Sequence, residues 1–322
     1  MSKDLLWKFQ GESAKYTPMS QDLLRKIQGG ATNFISASRD LLLQVQGRTA
    51  GYAPMFQDML QKVREWAARY VPMFRDFLLK VQRKPARYCV PKVFRTQNQA
   101  PLVSFTFDDV PDSAYINGAS ILEDHGIRGT FYVAAGTCDT SNDNWRLITP
   151  QQVRSLHNHG HEIGCQTFSH VSVRKLDAAG IDEECRKNHN LLRRICGDIE
   201  LTNFAYPYGE LTLMRKLQLQ KRFDTCRGNL EGVNAGTIDL GLLKVIKLYS
   251  QTLTPEKLQR VLRELCDRNG WVIFSTHDVA NPPSVYGCSP ELLRSTIEIV
   301  QAMGLTCVPI RDALKQIGYH PG

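Results

Sequence analysis

No stretch of the 322 residues approaches the roughly 18 consecutive apolar residues that a membrane-spanning helix requires, so a spanning helix is excluded. The opening Met1-Ser2-Lys3-Asp4-Leu5-Leu6-Trp7-Lys8 has neither an uninterrupted apolar core nor a cleavage site, and no secretory leader is expected. Cys-x-x-Cys pairs are also missing. The 9 cysteines are scattered, and an odd number cannot all pair within one chain, which fits reduced thiols. The expected address is therefore cytoplasmic, with peripheral contact at the inner face of the membrane as an option taken up below.

Acidic residues are scarce where basic ones are dense. Residues 1–100 hold 17 Lys or Arg against 7 Asp or Glu, whereas the remainder holds 23 against 25, so the net charge of +8 belongs to the N-terminal part. That part also repeats. Asp4, Asp22, Asp40, Asp58 and Asp76 recur every 18 residues, with aromatics at Tyr16, Phe34, Tyr52, Tyr70 and Tyr88 in the same register. Eighteen residues make five turns of an α-helix, so equivalent positions share a face. Apolar residues at helical spacing with Lys and Gln between them predict short amphipathic helices over 1–90, which Pro18, Pro54 and Pro72 can begin, joined by turns or forming one kinked array. Such helices can pack into a homo-oligomer or lie on an anionic membrane surface. Nucleic acid is not an expected partner, because the basic residues match no known module.

A second domain is expected over 91–322. Leu102-Val103-Ser104-Phe105-Thr106-Phe107 is a short, apolar, β-prone run that ends in two adjacent carboxylates, Asp108 and Asp109. Strand-like and helix-like stretches then alternate. Strands are expected at 129–134, 161–164, 202–206, 223–226, 243–247, 271–276 and 305–308. Helices are expected at 113–125, 149–158, 178–195, 211–220, 254–267 and 290–303. Alternation of this kind predicts parallel strands with crossover helices, as a barrel or an open sheet. In either, chemistry gathers beyond the C-terminal ends of the strands. The residues there are Asp108 and Asp109, Gln166 and His170, Tyr208, and His277 and Asp278. Each alone has a plainer reading, as a helix cap, a satisfied core histidine or a turn. Together they describe a hydrolytic centre.

Four of these stretches also carry a resemblance. Thr106-Phe107-Asp108-Asp109, Gly160 through His170, Pro207-Tyr208-Gly209 and Ser275-Thr276-His277-Asp278 resemble, in order, motifs of the NodB-homology polysaccharide deacetylases, carbohydrate esterase family 4. The resemblance runs from about 101 to 310. It implies a distorted (β/α) barrel of about seven parallel strands, preceded here by the all-helical repeat segment. It also implies metal-dependent N-deacetylation of an N-acetylated carbohydrate substrate, a precursor of a surface polysaccharide. The cofactor implied is a divalent metal, zinc by preference, held by Asp109 and His170. Asp108 is the implied base, His277 the implied acid and the Tyr208 N–H the oxyanion donor, with Asp278 beside the acid. Two positions depart from the pattern. Gln166 stands where the family has a His ligand, and an amide oxygen is a weaker zinc ligand than imidazole. Ala205 stands where an Arg commonly orients the catalytic carboxylate. The first departure implies, as an alternative, a catalytically impaired domain that binds carbohydrate or serves as a scaffold.

Overall fold

The structure, a computed structural model, describes residues 92–320. The repeats of 1–90, with the oligomer or membrane contacts expected of them, lie outside the described residues. The first described strand, β1 (Val93–Arg95), stands apart from the main sheet. The barrel is built from β2 (Leu102–Phe107), β3 (Thr130–Val133), β4 (Glu162–Cys165), β5 (Asn203–Ala205) and β6 (Thr225–Glu231). β7 (Thr237–Asp239) pairs antiparallel with β1, and β8 (Leu243–Lys247) and β9 (Trp271–Thr276) continue the main sheet. All pairings in that sheet are parallel, and β9 pairs back onto β2 over six residues, which closes a ring of seven strands. The expected distorted barrel is therefore the fold.

One expected strand has a different place. The run over 305–308 is reduced to β10 (Thr306–Cys307), which is not part of the ring. It pairs with Leu102 and Val103, the half of the β2 edge that β3 does not reach. The expected strand over 223–226 instead runs on to Glu231, because Arg227 keeps its ladder partners where the following Gly-Asn reads locally as a turn.

Among the described residues, seven α-helices cover the outside: α1 (Ser120–Asp124), α2 (Pro150–Asn158), α3 (Ala178–Cys196), α4 (Leu213–Arg222), α5 (Pro255–Asp267), α6 (Pro290–Ala302) and α7 (Ile310–Gln316). Their starts are written in the sequence. Thr149, Thr254 and Ser289 each precede a Pro, and each cap oxygen accepts the N–H three residues on. α7, which the sequence pattern did not reveal, packs under the N-terminal ends of the strands. Its Ile310 N–H donates to Thr130 Oγ1 at 3.0 Å, and its Arg311 N–H donates to the buried Glu162 at 2.9 Å.

Strand residues alternate between the helix layer and the barrel interior. Val103, Phe105 and Phe107 face the helices, and Phe107 stacks on Phe131 at 4.5 Å between centroids. Ser104 and Thr106 face inward and donate to the Val308 and Phe274 carbonyls at 2.7 and 2.9 Å, so neither hydroxyl is left unpaired. The same parity places Asp108 inward at the open, C-terminal end. Tyr132 also faces inward, and its ring takes the space a side chain at Gly164 would need: a Cβ there would lie 2.5 Å from Tyr132 Cδ1. Gly164→Ala is expected to lower stability by about 1–3 kcal/mol, the usual cost of overpacking. A urea midpoint that does not move would show that the ring has room to yield.

Candidate active site

The C-terminal mouth of the barrel gathers the polar residues, on strained backbone. Among the described residues, five of the seven non-glycine positions with positive φ lie in its loops: Asp109, Val110, Thr167, His170 and Tyr208. Left-handed conformations cost energy for such residues and concentrate at functional sites.

Asp108 continues the β2 ladder, its N–H donating to the Thr276 carbonyl at 2.9 Å. Its carboxylate is buried and held from two strands. Ser275 Oγ donates to Oδ2 at 2.8 Å, and the Arg227 guanidinium contacts Oδ1. A carboxylate in this setting needs a cation, because burial disfavours its charge.

Asp109 turns away at φ 56° and is gripped by Gln166. The Gln166 Nε2 donates to Asp109 Oδ1 at 2.8 Å, while its Oε1 accepts the Asp109 N–H at 3.0 Å. The orientation of the amide is fixed by chemistry: a flip would set oxygen against carboxylate and NH2 against N–H. His170 Nε2 lies 2.9 Å from the same Oδ1, and His277 Nε2 lies 4.0 Å from Oδ2. Burial pushes the Asp109 carboxyl up, but the His170 imidazole beside Oδ1, the charge of His277 and the Gln166 hydrogen bond outweigh it and hold the group below the usual carboxylate range.

His277 is oriented through its other nitrogen. Nδ1 lies 3.2 Å from the Tyr286 carbonyl, which can only accept, so Nδ1 carries hydrogen and Nε2 is the atom presented to the mouth. Aromatic rings surround it: Trp145 stacks at 5.5 Å with the planes 17° apart, and Tyr286 and Tyr249 stand at 5.6 and 6.0 Å. Tyr208 sits at φ 60° in the turn Pro207–Gly209, its exposed ring 4.7 Å from that of His170.

Asp278 does not join this group. Its buried carboxylate accepts the Ser284 N–H at 2.7 Å and the Ser284 hydroxyl at 2.5 Å. It ties down the loop that carries Tyr286 and so reaches His277 only through that carbonyl. The two side chains are adjacent in sequence without touching, because neighbours at a strand end point in different directions.

The site also answers whether a divalent ion fits these residues. Asp109 and His170 converge as a carboxylate and an imidazole. Gln166, expected as a weak third ligand, is not placed as one: its oxygen faces a backbone N–H and its NH2 faces the carboxylate. Among the described residues, no three His, Cys, Asp or Glu side chains come together to hold a metal ion. The residues present therefore do not fit the three-ligand metal site that the resemblance implied. The amide puts a hydrogen-bond donor on the carboxylate where a cation would be, whereas His170 Nε2, 2.9 Å from the same oxygen, is buried without a hydrogen-bond partner.

Sequence reasoning missed several supporting residues. Arg227 lay one residue past the expected end of its strand. Glu184 on α3 accepts from the Phe168 and Ser169 N–H groups and the Ser169 hydroxyl at 2.9–3.0 Å, fixing the loop between Gln166 and His170. Trp145, in the long loop after β3, had no local signal at all. The eight described cysteines are free thiols.

Comparison with known proteins gives likeness in family and fold. Residues 95–224 match the profile of the family described as polysaccharide deacetylase. A chitin deacetylase from Colletotrichum lindemuthianum is 26% identical over 224 residues, which cover 67% of this chain and 80% of that protein. A peptidoglycan-N-acetylglucosamine deacetylase from Bacillus cereus is 27% identical over 150 residues, 44% of this chain and half of that one. Among solved structures, a family 4 acetyl xylan esterase from Clostridium thermocellum, determined with a cobalt ion, superposes with a TM-score of 0.50. At 21% identity, with 68% of this chain and 93% of that one covered, it speaks to the fold.

Proposed function

This chain belongs to the polysaccharide deacetylase family, and we propose that its barrel hydrolyses the acetamide of an N-acetylated carbohydrate. The observation that carries the reading is the convergence of Asp108, Asp109, His170 and His277 at one strained mouth, each held by named partners. A groove of about 420 Å³, lined by Asp112, Asn144, Trp145, Arg146 and Ser284, opens beside the Trp145 ring that backs His277. Its mixed polar and aromatic lining suits a sugar ring.

The chemistry asked of these residues is an addition followed by an elimination. Asp108 takes a proton from the attacking water as oxygen bonds to the acetamide carbon. The Tyr208 N–H donates to the oxygen that gains charge. His277, protonated, passes the Nε2 proton to the departing nitrogen as the C–N bond breaks, releasing acetate and a free amine. The substrate we favour is a precursor of a surface polysaccharide, met in the cytoplasm.

The Gln166 clamp favours a second reading, an impaired deacetylase-like domain that holds the sugar without turning it over. One experiment separates them. The full chain is incubated with N-acetylglucosamine oligomers, acetate is measured enzymatically, and binding is followed by ligand-observed NMR. Acetate that rises in proportion to protein supports hydrolysis. Binding without acetate replaces it with the second reading, and neither signal removes both.

A further inference from the structure

Position 205 is an Ala and offers no guanidinium, yet one sits beside Asp108. Ala205 on β5 and Arg227 on β6 are direct partners in the ladder, so their side chains share one face of the sheet, the inner one. Arg227 is 4% exposed and reaches across the interior to Asp108 Oδ1. Its NH1 donates to the Gly228 carbonyl at 3.1 Å, and its Cζ lies 4.7 Å over the Tyr132 ring. The head group is thereby held at its edge by a backbone carbonyl and on its face by an aromatic ring. A planar, delocalised cation fixed in this way sets the plane of the carboxylate it meets, which a flexible ammonium cannot do. Ser275 Oγ holds the other oxygen at 2.8 Å, so both oxygens of Asp108 are fixed, one from β6 and the other from β9.

We propose that Arg227 is the positioning residue for Asp108, supplying from β6 the guanidinium that the β5 position lacks. The proposal rests on the hydrolytic reading above. The plainer reading is a buried ion pair that only holds the barrel together, and buried pairs are weak evidence for stability. The two differ in what they predict for turnover. A positioning role acts on kcat and leaves sugar affinity alone. It also depends on where the guanidinium is, not on which strand delivers it.

The test compares the full-length chain with Arg227→Gln, Arg227→Lys and the double variant Arg227→Ala/Ala205→Arg. Readouts are kcat and KM for acetate release, sugar binding by NMR, and thermal melting by circular dichroism. Arg227→Gln is expected to lower kcat about 100-fold, the scale of a misplaced catalytic group, with sugar binding unchanged. Arg227→Lys keeps the charge without the planar fork and is expected to fall between. The double variant is expected to recover most of the lost kcat, because truncation at 227 opens the space for an Arg from the paired position. Wild-type protein that releases no acetate removes the hydrolytic reading and the proposal with it. Active wild type with unchanged kcat in Arg227→Gln overturns the positioning role alone. A double variant that melts like wild type but stays as slow as Arg227→Gln overturns it too. If Arg227→Gln does not fold, a folded Arg227→Lys variant with wild-type kcat overturns it.

Discussion

Replacing Gln166 with His is expected to turn a site with little affinity for divalent ions into one that binds a single zinc or cobalt ion at least about 100-fold more tightly, the scale on which ligand-shell changes act. The present amide is used at both ends, with Oε1 on the Asp109 N–H at 3.0 Å and Nε2 on Asp109 Oδ1 at 2.8 Å. An imidazole there would release the carboxylate oxygen and add a nitrogen ligand to Asp109 and His170, a set that suits zinc and related ions. The exchange has a cost. The Asp109 N–H loses its acceptor, and an unsatisfied buried N–H costs about 1–3 kcal/mol. The metal-free variant should therefore melt below wild type and be raised again by added metal, since a ligand that binds only the folded state stabilises it. Isothermal calorimetry with zinc or cobalt reads the affinity, and Gln166→His/His170→Ala should lose it. Wild-type protein that already binds one equivalent tightly, and loses it on His170→Ala, would show that the amide lets go of Asp109 and serves as a ligand.

How far the sequence alone could see is shown by the two carboxylates of β2. The β-prone run Leu102–Phe107 placed Asp108 and Asp109 at the C-terminal tip of a buried strand, because strand and tip are both written in neighbouring residues; that Asp108 points inward is seen only in the fold. Positions just after expected strands likewise put His170, Tyr208 and His277 at the same end. What was not legible were contacts between residues distant in the chain. Arg227 meets Asp108 across 119 positions, and nothing near either residue announces it. The Gln166 side chain could be named as a doubtful ligand from its type alone. That it is a clamp follows only from the direction of the amide. The strand β10 illustrates the same limit: its residues are β-prone, but whether it enters the ring depends on how much of the β2 edge β3 leaves open.

The largest loss of turnover is expected from His277. Its Nδ1 is committed to the Tyr286 carbonyl at 3.2 Å, so Nε2 is the atom left to hand a proton to the departing amine. General acids of this kind contribute roughly 10²–10⁴-fold, and without one the nitrogen would have to leave as an anion. His277→Ala is a poor test by itself, because the ring also packs between Trp145 and Tyr286, and removing it would disturb the wall beside the groove. His277→Phe keeps the ring and its stacking at 5.5 Å on Trp145 while removing both nitrogens. That variant should bind N-acetylglucosamine oligomers as wild type does and release acetate about 10³-fold more slowly. The comparison of kcat with sugar affinity assigns the loss to the chemical step, as expected for an interaction made only in the transition state. A Phe variant that keeps wild-type kcat would move the acid to another group at the mouth. The other imidazole at the mouth is that of His170, its Nε2 2.9 Å from Asp109 Oδ1, and His170→Phe would then be the variant that loses turnover.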